Sequence, residues 1–133
     1  MLLTLLAGCA GGGGNAPAPG ALRPKVDQWL AAALRAHDTR THATGEHPAA
    51  QAEMRRIEAE LRAADRAGVR GAVEEKRASL KARRGEVEGR RNSILVVGRA
   101  HTEEDRRELD RLAREIERID LSDRSLADLA SGF

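Results

Sequence analysis

The chain contains no tyrosine, only two aromatic residues (Trp29 and Phe133), a single cysteine and four prolines. Lysine is scarce too, with 3 against 20 arginines. Each shortage excludes something. One cysteine rules out an intrachain disulfide and any multi-cysteine metal knuckle. Beyond the first eight residues, 22 of 125 positions are Leu, Ile, Val or Phe. That is too little bulk for an enzyme built around a deep apolar pocket. Strand-forming residues are thin and alternation is nearly absent, which argues against a β-sandwich or barrel. No apolar run approaches the length of a membrane span. No phosphate loop, nucleophile elbow or zinc-protease helix occurs, so the sequence offers no enzyme chemistry and no cofactor.

What remains favours helix. Alanine (24 residues), arginine, glutamate and leucine dominate, all strong helix formers. The charge is high but balanced, with 23 basic and 21 acidic residues, which places charges on solvated helix faces rather than in a self-repelling disordered chain. The expected fold is all-α: an elongated helical hairpin or small helical bundle with coiled-coil-like segments, preceded by a disordered tether.

The N-terminus carries the most specific motif. Met1-Leu2-Leu3-Thr4-Leu5 leads into Leu6-Ala7-Gly8-Cys9, followed by Ala10, four glycines and Asn15-Ala16-Pro17-Ala18-Pro19-Gly20. Leu6-Ala7-Gly8-Cys9 resembles the lipobox of bacterial lipoproteins. The resemblance implies cleavage between Gly8 and Cys9, and a mature Cys9 carrying a thioether diacylglycerol and an acylated amine. Several acyl chains exceed what stable anchoring requires. Residues 1–8 would then be a signal peptide. It is short and lacks a basic start, so the reading is a start codon placed too late, with the signal beginning upstream. Ala10 after the cysteine favours the outer membrane, facing the periplasm, over the inner one. Residues 9–20 form a flexible Gly/Ala/Pro tether. It spans at most about 40 Å extended and roughly 20 Å on average.

Residues 21–133 form the expected helical domain. Pro24 suits a first turn, with Asp27 near its positive end. Val26, Trp29, Leu30, Ala33 and Leu34 make one apolar face of a helix over about 24–36, with Trp29 as its packing anchor. His37 to His47 reads as a loop. Pro48 starts a second helix, whose Met54, Ile57, Leu61 and Ala64 step like a coiled-coil seam. Gly68 reads as its C-terminal cap. A third helix carries an internal repeat: Val73, Leu80, Val87 and Ile94 recur every seven positions, followed at a fixed offset by Lys76-Arg77, Arg83-Arg84 and Arg90-Arg91. Ile94 to Val97 is either the helix's continuation, which is preferred, or a strand-like apolar plug. Thr102-Glu103-Glu104-Asp105 is close to a capping box. It opens a fourth helix with Leu109, Leu112, Ala113, Ile116 and Ile119 on its core face, and Ser122-Asp123 restarts a short turn bearing Leu126 and Leu129.

Two clusters are candidates for chemistry. His37, His42 and His47, with Asp38 and Glu46 nearby, have the side chains of a divalent metal site, but their spacing matches no known ligand pattern. The stripe Arg77, Arg83, Arg84, Arg90 and Arg91 has two readings. Residues 48–93 carry 12 basic and 8 acidic residues, and residues 102–133 carry 6 and 10. An antiparallel hairpin of helices three and four would therefore set the stripe against acidic side chains, selecting register through individually weak pairs. Alternatively, the stripe meets an external polyanion. Nucleic acid is disfavoured, because acidic residues interleave and stacking aromatics are missing. The leading expectation is a lipid-anchored envelope protein acting as a structural or protein-interaction module, attached to the membrane through Cys9, with a protein partner or self-association through its helices. The alternative is a soluble helical adaptor or polyanion binder with a chance lipobox.

Overall fold

The computed structural model describes residues 21–96, 98 and 100–133. The signal, Cys9 and tether readings fall outside them. Four helices follow in order: α1 (Leu22–His42), α2 (His47–Arg62), α3 (Arg66–Ile94) and α4 (Glu103–Ser131). The described residues contain no strand. At 29 residues each, α3 and α4 are about 43 Å long, and they form the long axis of the molecule.

Ion pairs fix the directions of the helices. Arg77 of α3 meets Asp123 of α4 at 2.7 Å, and Arg90 meets Glu108 at 2.7 Å, so these two helices are antiparallel. Along α1, Asp27 reaches Lys76 at 2.9 Å and Asp38 reaches Arg118 at 2.8 Å, so α1 runs parallel to α3. The second helix returns beside α1: His47 touches Thr39 at one end and Glu60 pairs with Lys25 at the other. The first two helices thus brace one end of the α3–α4 hairpin. The other end projects beyond them.

The core is divided in the same way. At the braced end, Leu22, Val26, Trp29 and Leu30 of α1 pack with Ile57 and Leu61 of α2, Val69 and Val73 of α3, and Leu126 and Leu129 of α4. Trp29 is 5% exposed, a packing anchor as its spacing indicates. Toward the hairpin loop a smaller cluster holds Val87 and Ile94 against Leu112, Ile116 and Ile119, with no residue from α1 or α2. Leu80 packs against both clusters.

Several boundaries differ from the sequence expectations, each for a local reason. The first helix starts two residues before Pro24 and continues through the expected histidine loop to His42. Ala36 and Thr39 are buried, and the Thr39 hydroxyl donates to the Arg35 carbonyl at 2.9 Å, so the chain has packing reasons to stay helical. Gly68 does not cap α2. That helix ends at Arg62, and Asp65 begins α3 by accepting the Gly68 N–H at 2.9 Å. An aspartate N-cap thus outweighs the glycine signal. The third helix stops at Ile94, short of Val97, with the Leu95 N–H closing on the Arg91 carbonyl. Leu95 and Val96 are neither helix nor strand, Val97 lies outside the described residues, and Gly98 turns the chain at φ +88°. Thr102 and Asp105 do form a capping box. The helix it opens runs unbroken through Ser122-Asp123, and Ala113 lies on its exposed side rather than in the core.

Glycine positions give a direct test of this packing. A methyl group at Gly85 would meet nothing within 4 Å, whereas one at Gly68 would stand 2.8 Å from Cδ1 of the buried Leu22. Gly85→Ala should raise stability in urea unfolding by about 0.5–1 kcal/mol. Gly68→Ala should show no such gain, because crowding Leu22 offsets the helix propensity.

Candidate functional site

The basic pairs of α3 straddle its apolar seam. Val73, Val87 and Ile94 are buried and Leu80 is partly so, and the two members of each pair fall on opposite flanks. On the first flank Lys76 meets Asp27 of α1, Arg83 meets Glu115 at 2.7 Å, and Arg90 meets Glu108 at 2.7 Å. On the second, Arg77 holds Asp123 through two hydrogen bonds of 2.7 and 3.2 Å, and Arg84 holds Asp120 at 2.8 and 3.3 Å. Arg84 also pairs with Glu88 one turn along its own helix. The acidic fourth helix therefore receives four of the five stripe arginines, as the hairpin reading requires.

Arg91 is the exception. Its Nε is buried and has no hydrogen-bond partner. The heptad explains why: one repeat along α4 from Asp120, the partner of Arg84, stands Ala113, which offers no carboxylate. An unmet buried N–H carries a desolvation cost, so the second flank ends with an unfilled place.

The electrostatics follow these contacts. Glu108 accepts hydrogen bonds from Arg111 and Arg90, which hold its carboxyl down from the ordinary 4.5 to about 2. Arg77 lowers Asp123, and Arg84 lowers Asp120, in each case chiefly by hydrogen bonding. Arg118 does the same to Asp38 through two bonds of 2.8 and 2.9 Å. This last pair ties α1 to α4 across 80 residues of sequence, a contact that a loop over residues 37–47 does not anticipate.

The three histidines are held apart. His37 and His42 are exposed on the last turns of α1, with His37 Nδ1 3.6 Å from Asp38. His47 opens α2, its Nδ1 3.2 Å from the Thr39 hydroxyl. Among the described residues no group of three His, Cys, Asp or Glu is placed to hold a metal ion. Leu95 and Val96, beside the hairpin loop, are 46% and 56% exposed and stand out as large apolar side chains facing solvent. Next to them an open groove of about 860 Å³ lies between α3 and α4, with Val87, Ile94 and Leu112 among its lining residues. No protein-family profile, curated protein or solved structure matches the chain.

The unfilled place opposite Arg91 yields a prediction. Ala113→Glu puts a carboxylate on the second flank and should raise the melting midpoint by about 2 °C at low salt. Adding Arg91→Ala to Ala113→Glu should remove that gain, as read by circular dichroism melts of both variants.

Proposed function

We propose that the protein is a lipid-anchored helical module of the bacterial envelope, serving as a structural or protein-interaction element. The observation that carries this reading is Leu6-Ala7-Gly8-Cys9, which surrounds the chain's one cysteine and is followed directly by Gly/Ala/Pro-rich sequence up to Gly20. The folded part is compatible with it. The first helix begins at Leu22, packed over Gly68 at the start of α3, so residue 21 enters at the end of the molecule opposite the hairpin loop. Anchored there, the projecting arm points away from the lipid. No helix among the described residues is long and apolar enough to cross a membrane, so attachment through Cys9 would be the membrane contact. The outer membrane, facing the periplasm, is the proposed location.

The arginine stripe favours the interaction-module reading over a polyanion binder, since four of its five members already hold carboxylates of α4. The test uses the native gene with its upstream region. Wild-type protein should fractionate with membranes and carry a mature N-terminal mass that includes diacylglycerol. Cys9→Ser should leave an uncleaved precursor without that mass. Wild-type protein recovered wholly in the soluble fraction with an unmodified thiol would refute the anchor.

A further inference from the structure

The two ends of the α3–α4 hairpin are held by unequal means. At the braced end thirteen buried apolar residues from all four helices pack together, Trp29 and Leu61 among them. The distal end has five, all from α3 and α4. The boundary lies where α1 stops: Asp38 holds Arg118 of α4 at 2.8 Å, and α1 ends one turn later at His42. The distal part of α3 is also a weak helix in itself. Of its eleven residues from Arg84 to Ile94, two are glycine, and a methyl group at either Gly85 or Gly89 would meet nothing within 4 Å. These glycines relieve no crowding, so they only lower helix stability. The buried Arg91 Nε has no partner, and the exposed Leu95 and Val96 add little packing beside the loop.

We propose that the distal hairpin, about residues 84–114, is a separately opening unit, which unzips while α1, α2 and the braced core stay folded. Local opening follows from few buried apolar contacts and solvent-exposed backbone hydrogen bonds, and the arm has both. Its two helix ends open together, because each buries its apolar residues only against the other. The ion pairs across the arm are its clasp: Arg90 with Glu108 and Arg83 with Glu115, at 2.7 Å each, their arginine side chains 66% and 53% exposed. Pairs so open to solvent are screened by salt, so ionic strength sets how often the arm opens. The braced end has no such dependence on its clasp, because apolar residues of four helices hold it. The result is a base that stays folded where residue 21 enters and an arm that opens away from it.

This inference goes beyond the envelope reading and depends neither on Cys9 nor on a partner. The test is native-state hydrogen exchange of the full 133-residue chain, followed amide by amide by NMR. Protection factors of Val87, Gly89 and Leu112 should agree with one another and lie about a hundredfold or more below those of Leu61, Val73 and Leu126. Raising sodium chloride from about 20 to about 500 mM should lower the distal factors about threefold. Two mild variants separate local opening from global unfolding. Ile57→Val, in the buried braced core, should lower braced-end protection about fivefold and leave the distal factors unchanged. Gly85→Ala should raise both sets about threefold, since global unfolding also opens the arm. Equal protection along α3 and α4 would overturn the proposal. So would Ile57→Val lowering distal and braced protection alike, as a single cooperative unit requires, or distal factors that salt leaves unchanged.

Discussion

The structure depends on closing a helical hairpin whose apolar seam is too narrow to close it alone. On α3 the seam offers one large side chain per heptad, at Val73, Leu80, Val87 and Ile94. A stable two-helix coiled coil usually has two. Beside the seam stand long arginine side chains, whose heads reach carboxylates of α4. Exposed ion pairs stabilise little individually. What they supply here is register: a one-turn slip of α4 would carry Asp120 and Asp123 away from Arg84 and Arg77 together, and Glu108 and Glu115 away from Arg90 and Arg83.

From that constraint follows the division of the molecule. Where α1 and α2 are present, a broader core of Trp29, Leu30, Leu61, Val69 and Leu126 carries the packing. Past the end of α1 the hairpin stands on five buried apolar residues and its charged flanks. The arm places its apolar tip, its open groove and the unmet Arg91 together at the end far from residue 21. A chain with so few large side chains has concentrated them where α1 enters, leaving the far end to contacts that solvent or a partner can complete.

Much of this arrangement was legible in the sequence, because helix periodicity and heptad spacing are local signals. The repeat of Val73 through Ile94 and the opposite net charges of the two halves sufficed to pair α3 with α4, and the Thr102–Asp105 box marked the start of α4. Less visible were features set by contacts distant in sequence. Arg118 holding Asp38, and the burial of Ala36 and Thr39, carry α1 through a stretch whose polar composition reads as loop. Asp65 capping Gly68 was readable as an N-cap but was masked by the glycine beside it. The groove could not be read at all, since it exists only where α1 stops along a hairpin of fixed register.

The account is tested most directly by exchanging the charges of one rung. Arg84→Asp and Asp120→Arg should each lower the melting midpoint at low salt, because each sets like charges face to face across the hairpin. The double exchange should recover most of the loss, with the recovery shrinking as salt screens the pair. If the double variant were instead as unstable as the sum of the two singles, at every salt concentration, the guanidinium–carboxylate rungs would not set the register of this hairpin.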